Sequence, residues 1–127
     1  MWLLQQIRMQ RTPNERAYPP DRADTITAEQ AQTLWGLFRE RVRRSPDAAA
    51  YRHYDRTQGR WVEHSWAMLG ERAERFRAAL ATEDLRPGDR IAILLPNGID
   101  WVCLDLAAHG SGLVVVGLYP HDSAMNI

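Results

Sequence analysis

The sequence predicts an α/β fold that forms part of a larger layered α/β domain. Two apolar runs of strand length, 90–95 and 113–118, stand on either side of a segment whose apolar residues have helical spacing. A strand, a helix and a second strand in this order predict a parallel βαβ unit. Both runs are uninterrupted, which is typical of strands that are buried on both faces. Two amphipathic helices and a β-hairpin are predicted before this unit.

The first 26 residues are predicted to be a loosely ordered N-terminal leader. They are polar and rich in arginine, and Pro13, Pro19 and Pro20 exclude a long helix. Residues 27–127 are predicted to belong to one domain that is truncated at its C-terminus. Ser123 has the position of a helix N-cap, but only four residues follow it, which is fewer than a stable helix needs.

The first amphipathic helix is predicted to begin at Thr27. Gln30 follows it by three residues, which is the spacing of a capping box. Apolar residues then recur at helical intervals until Ser45 and Pro46 end the element. These apolar residues are Leu34, Leu37, Phe38 and Val42.

A β-hairpin is predicted from two short strands, 48–54 and 60–64, which a turn containing Gly59 separates. Ser65 follows the second strand and is predicted to be the N-cap of the second amphipathic helix. Apolar residues fall on one stripe of this helix, and charged residues fill its other side. The stripe consists of Trp66, Leu69, Ala73, Phe76 and Leu80.

The βαβ unit is predicted to begin after a turn at 86–89, and its first strand ends at Pro96. Asn97 is predicted to cap the third helix, and Gly110 and Gly112 are predicted to stop it. Some apolar residues of this helix lie off its main stripe, so its apolar surface is wider than packing on one sheet requires, and we expect a further contact to cover it. A second layer of the domain or an oligomer contact would do so. These residues are Trp101, Leu104 and Ala108.

Composition excludes several classes of protein. An apolar fraction of 45% and a charged fraction of 25% favour neither disorder nor a fibrous protein. Sixteen basic residues balance sixteen acidic ones, so we expect no nucleic-acid partner. No apolar run reaches the roughly 20 residues that span a bilayer. The apolar stretch at the start of the chain is too short for the apolar core of a secretory signal. The single cysteine, Cys103, cannot form an internal disulfide. We therefore predict a cytoplasmic protein without a transmembrane segment.

Motifs that could carry phosphate or metal chemistry have simpler structural explanations. Gly110 and Gly112 follow a helix, whereas phosphate loops precede one, so they are predicted to form a helix-stopping turn. The four histidines lack the spacing of metal ligands along the chain, and no metal site is predicted. They are His53, His64, His109 and His121.

Nucleophilic and anion-binding groups are likewise assigned structural roles. The serines lack the glycine-flanked turn of a nucleophilic serine. Four arginines lie at the end of a helix, where positive charge interacts favourably with the helix dipole. The tryptophans lie at apolar-stripe or strand positions, which are typical of a core. We therefore predict no catalytic, cofactor-binding or metal-binding residue in this chain. The residues considered are Ser65, Ser111, Ser123, Arg39, Arg41, Arg43, Arg44, Trp35, Trp61, Trp66 and Trp101.

Several segments between residues 33 and 125, taken in order, resemble one family. The segments are LWGLF at 34–38, SPD at 45–47, Trp61 through Trp66, RPGDRIAILLPN at 86–97, Trp101, GLVVVGLYP at 112–120, and Ser123. They are similar to the AMP-forming acyl-CoA synthetases, which are adenylate-forming enzymes. The LYP at the end of 112–120 looks most like the branch of long-chain fatty acid:CoA ligases.

The resemblance implies a reaction, but no reacting residue in this chain. Members of the family join a carboxylic acid to ATP with Mg²⁺, release pyrophosphate and pass the acyl group to coenzyme A. Their phosphate loop, acidic segments and catalytic lysine have no counterpart here, and all sixteen basic residues are arginine. The matched positions fall on the family's scaffold, so 27–127 would be the N-terminal portion of an AMP-binding domain.

Two functions stay open at this point. The first is an N-terminal fragment of a long-chain fatty acid:CoA ligase, inactive alone, whose full-length form uses fatty acid and CoA. The second is a non-catalytic module on the same scaffold that binds a partner or dimerises, or that contacts the remainder of the domain. A small nucleotide binder ranks lower, because only Gly98 is available for an anion loop at the entry to the third helix.

Overall fold

The computed structural model describes residues 24–119 of the chain. Residues 1–23 of the predicted leader (1–26) and the predicted N-cap at Ser123 lie outside the described residues. The elements are α1 (Ala28–Ala31), α2 (Leu34–Arg44), β1 (Ala49–Asp55), β2 (Arg60–Ser65), α3 (Trp66–Leu80), β3 (Arg90–Ile93), α4 (Ile99–Gly110) and β4 (Val114–Gly117). Helices and two two-stranded sheets in this part of the chain confirm the predicted α/β class.

The first predicted helix is divided into α1 and α2. The capping box is present, since the Thr27 hydroxyl accepts from the Gln30 amide at 3.3 Å and the Gln30 side chain accepts from the Thr27 amide at 3.0 Å. Gln32 then adopts a φ of 57°, and the Thr33 hydroxyl accepts from the Gly36 amide at 2.9 Å and starts α2. The prediction of one continuous helix was wrong, because this second cap competes with helix continuation.

β1 and β2 form the predicted antiparallel hairpin, within one residue of the predicted bounds at each end. Ser65 caps α3 as predicted, accepting from the Met68 amide at 3.3 Å. Trp61 was predicted to lie in the core, and that was wrong. It is 65% exposed because its register places it opposite Tyr54, away from the end of the hairpin where Ala50 packs on the core.

The core lies among α2, α3 and α4. Phe38, Leu69, Ala73 and Cys103 are buried together, so the apolar stripes predicted for these helices meet. The Phe38 ring centroid lies 5.5 Å from that of Trp35 and 6.2 Å from that of Trp66. Burial of each large apolar side chain stabilises the fold by roughly 1.5–3 kcal/mol. This helical core holds the βαβ unit in place.

β3, α4 and β4 form the predicted parallel βαβ unit, with Arg90 opposite Val114 and Ile93 opposite Gly117. α4 contacts both strands, and it also contacts α2 and α3. Ala107 and Ala108 of α4 are fully buried. Of the residues that widen the apolar surface of α4, Ala108 is therefore covered from within this chain, whereas Trp101 and Leu104 are half-buried.

The opposite face of the β3–β4 sheet is not covered by the described residues. Ile93 is 1% exposed, whereas Leu94 is 57%, Val114 48% and Val116 42% exposed. The prediction that both strands are buried on both faces was wrong for this part of the chain. Side chains alternate across a strand, and α4 packs on one face only. Among residues 24–119, no helix has the length and apolar character needed to cross a membrane.

Candidate functional site

A small cleft lies at the carboxyl edge of the β3–β4 sheet. Open α/β sheets bind their ligands beyond the carboxyl ends of the strands, so this is the best-placed candidate site in the described residues. Its volume is about 290 Å³. It is lined by Leu95, Pro96, Asn97, Trp101, Gly117, Leu118 and Tyr119.

Local structure at the end of β3 and the start of α4 positions the cleft. The Leu118 amide donates to the Ile93 carbonyl at 2.9 Å, which continues the strand pairing up to the cleft. Gly98, rather than the predicted Asn97, is the N-cap of α4. The Gly98 carbonyl accepts the first helical bond from the Val102 amide at 3.2 Å, so the helix starts one residue later than predicted. Asn97 is left on the cleft wall.

The residues that line the cleft are suited to binding a ligand rather than to catalysing a reaction. The Asn97 amide can donate and accept hydrogen bonds, and Trp101 and Tyr119 offer ring surface. The Trp101 ring lies close to Gly117, where an added Cβ would be 3.8 Å from Cζ2 of that ring. None of the lining residues is a carboxylate, lysine, arginine or histidine. The cleft can therefore hold an apolar or flat part of a ligand, but its lining provides no cation and no general base.

A larger groove of about 760 Å³ runs along α1, α2 and α3. Trp35, Phe38 and Val42 contribute apolar surface to it, and Glu40 and Arg43 lie among its charged residues. Arg43 donates to Glu40 at 2.6 Å, and side-chain hydrogen bonds from Arg43 and Arg44 lower the pKa of Glu40 to about 2. These charges satisfy each other, so they are not arranged to receive a ligand.

The glycine-rich segment forms a helix-stopping turn, as predicted. The Ser111 amide donates to the Ala107 carbonyl at 3.0 Å, and the Leu113 amide donates to the Ala108 carbonyl at 2.9 Å. Gly112 has a φ of 73°, a left-handed conformation that glycine adopts without strain. These bonds satisfy the last carbonyl groups of α4.

The arginines at the end of α2 bind partners within the chain. Arg41 pairs with Asp24 at 2.7 Å, and Arg44 pairs with Glu40 at 2.7 Å. The prediction that they close a helix is confirmed, since three of the four lie in its last turn.

Two of the histidines that sequence spacing treats as scattered are neighbours in the structure. The facing nitrogens, Nε2 of His64 and Nδ1 of His53, lie 2.9 Å apart. Burial first, and then the charges of His53 and Arg72, lower the pKa of His64. The sequence analysis compared the histidines only by their spacing along the chain and therefore did not predict this pair. The register of the predicted hairpin could have revealed it. His109 instead contacts the Asp105 carbonyl through Nδ1 at 2.8 Å, near the end of α4.

Cys103 is a free cysteine in the interior of the fold. Its Sγ lies 3.9 Å from the Leu69 carbonyl, and burial raises the pKa of its thiol. A protonated, buried thiol is a weak nucleophile, so the residue acts as part of the core.

Residues 38–127 match the protein family described as "AMP-binding enzyme". This chain belongs to the AMP-binding enzyme family.

Curated AMP-binding relatives cover a range of acids. A medium-chain acyl-CoA ligase from Bos taurus is 31% identical over 72% of this chain and 15% of its own length. A long-chain-fatty-acid–AMP ligase from Mycobacterium tuberculosis is 32% identical over 65% of this chain and 14% of its own length. The chain thus spans about a seventh of the length of each of these two relatives.

Solved AMP-binding structures share the fold. A fatty acyl CoA synthetase from Mycobacterium tuberculosis superimposes with a TM-score of 0.64 at 26% identity, covering 74% of this chain and 18% of that one. The described elements are therefore those of an AMP-binding enzyme.

Proposed function

We propose that these residues belong to a long-chain fatty acid:CoA ligase, which activates its acid as an acyl adenylate with ATP and Mg²⁺ and then transfers the acyl group to CoA. The observation that carries the proposal is the match of 38–127 to the AMP-binding family. The long-chain-fatty-acid–AMP ligase among the relatives and the resemblance at 118–120 support the substrate class. Access to ATP and CoA, and the free thiol of Cys103, favour the cytoplasm as its location.

In this proposal the described residues are framework, and the 127-residue chain alone does not catalyse. Adenylation develops negative charge on the oxygens around the pentacoordinate phosphorus and needs preorganised cations and amide donors there. The chain has no lysine. Several of its arginines are held by carboxylates, including Arg41 by Asp24 and Arg72 by Asp100.

A fatty acid-dependent exchange of pyrophosphate into ATP tests whether the chain alone lacks catalytic activity. We expect the purified chain to give no exchange above a blank with palmitate, octanoate or butyrate. Exchange above the blank would refute the framework assignment.

The substrate class needs a separate measurement. The polypeptide encoded by the whole natural reading frame is assayed with the same three acids. We expect palmitate to give the highest kcat/KM, and a preference for butyrate would refute the long-chain assignment while leaving the family unaffected.

The uncovered sheet face favours a second candidate, a non-catalytic module that assembles through this face. Leu94, Val114 and Val116 together present apolar surface there. Sedimentation equilibrium separates the two candidates. A dimer that dissociates when Val116 is changed to Lys would favour the module, and a monomer would favour the framework.

A further inference from the structure

We propose that His53 and His64 form a two-imidazole site for a late first-row divalent metal ion of the Ni²⁺ and Cu²⁺ type. The site lies on the β1–β2 hairpin and is independent of the ligase proposal. His53 is opposite Val62, and His64 is opposite Tyr51, so the two histidines are diagonal neighbours on one face of the hairpin. Their facing nitrogens are 2.9 Å apart.

The separation of the two nitrogens is that of a hydrogen bond and is also that of two neighbouring ligands of one metal ion. Imidazole nitrogens bind such metals at about 2.0–2.1 Å, so two ligands at a right angle are about 2.9 Å apart and two tetrahedral ligands are about 3.4 Å apart. Right angles are the preference of tetragonal Cu²⁺ and Ni²⁺. A tetrahedral Zn²⁺ would require His53 and His64 to move apart.

Binding requires a rearrangement of protons. Without metal, one of the facing nitrogens donates its hydrogen to the other. Both must present lone pairs to a metal, so that hydrogen leaves to solvent and the same ring takes up a proton at its other nitrogen. The neutral pair therefore binds an ion with no net release of protons. If one ring is already protonated, one proton is released.

The surroundings leave room for an ion and its water ligands. His53 is exposed, and His64 is half-buried. Arg72 is the cation whose charge acts on His64, and its guanidinium pairs with Asp100 at 2.5 Å, which offsets that charge. Asp55 is the acidic group whose charge interacts with His53. Residues 24–119 contain no cluster of three or more His, Cys, Asp or Glu side chains suited to a metal, so water must supply the other ligands.

Calorimetric titration of the untagged chain with NiSO₄, at a pH above the ordinary histidine pKa of about 6.5, tests the site. We expect one ion to bind per chain. His53→Asn and His64→Asn should each weaken binding about tenfold or more, a loss that even outer-shell changes produce at metal sites. His109→Asn and His121→Asn are the matched controls and should bind as the unmodified chain does. Unchanged affinity in the first two variants, or a loss in the controls, overturns the proposal.

A second measurement needs no variant. The electron paramagnetic resonance spectrum of the chain with one equivalent of CuSO₄ should show coupling to two imidazole nitrogens. Coupling to one nitrogen or to none overturns the proposal, even if a variant fails to fold. Lowering the pH below the histidine pKa should release the ion, because protons compete for the same lone pairs.

Discussion

At the scale of single residues, Glu40 shows how hydrogen-bonded partners set the charge state of a side chain. It accepts from Arg43 Nη2 at 2.6 Å and from Arg44 Nε at 2.7 Å. These hydrogen bonds lower its pKa from 4.5 to about 2. Glu40 therefore keeps its charge at a pH where ordinary glutamates lose theirs.

This shift predicts how the fold responds to acid. The pKa of Glu40 is lower in the folded state than in the unfolded state. The contribution of its charge to stability is therefore complete above pH 4.5 and is lost as the pH falls through about 2. In Glu40→Gln we expect lower stability at neutral pH and a smaller further loss between these two pH values. Urea unfolding across the pH range measures both. Glu83→Gln, an exposed control, should parallel the unmodified chain, and parallel curves for Glu40→Gln would contradict the expectation.

Residues with local partners are the ones that the sequence predicts well. The Thr27 and Ser65 caps bond to amides three residues ahead, so spacing alone reveals them. The contact between His53 and His64 depends on strand register, which spacing along one strand does not contain. Contacts between residues close in sequence were therefore predicted, whereas the contact between His53 and His64 requires the strand register as well.

At the scale of elements, the start of α4 lacks a side-chain cap. Gly98 is the N-cap residue, and no side chain accepts a hydrogen bond from the first amide groups of the helix. Its φ of 174° is extended backbone that any residue can adopt. An added Cβ would meet the Pro96 carbonyl oxygen at an ordinary 3.8 Å.

Gly98→Ser should therefore stabilise the fold. A serine hydroxyl at this position can accept from a first-turn amide, which contributes a few tenths of a kcal/mol and reduces the freedom of the unfolded chain, for a total of about 0.5 kcal/mol. For a domain of this size, the change raises Tm by about 2–4 °C. Gly98→Ala adds the same Cβ without the hydroxyl and should be less stable than Gly98→Ser. Equal melting temperatures for the two variants would exclude a capping effect.

The types of the elements were predictable, and their ends were less so. Apolar spacing gave the helices and strands of the βαβ unit, because burial against α4 selects that spacing. The break at Gln32 was missed, since the Thr33 cap competes with a helix that the apolar pattern favours. The predicted N-cap of α4 was one residue too early, because both Asn97 and Gly98 are residue types that suit that position.

At the scale of the whole molecule, the described residues form a layered arrangement with one face open. α4 covers one side of the β3–β4 sheet, and α2 and α3 pack on α4. The other side of the sheet presents apolar side chains. The uninterrupted runs at 90–95 and 113–118 predicted burial on both faces. Such runs fit a sheet with helices on both faces, and the described residues supply one of those two layers. The candidate cleft was also not predictable, because it forms only where the two strand ends meet α4.

The open face predicts a surface property that can be measured. Val114→Thr with Val116→Thr keeps both side chains β-branched and adds a hydroxyl to each, so stability should change by no more than about 0.5 kcal/mol per exposed site. We expect the double variant to bind less of the dye ANS and to scatter less light at high concentration than the unmodified chain. Leu34→Gln is the control, because Leu34 is 64% exposed on α2, away from the sheet, and its replacement should leave dye binding unchanged. If dye binding falls in the control and not in the double variant, the apolar surface of the molecule lies on the helices, and the sheet face needs no covering layer.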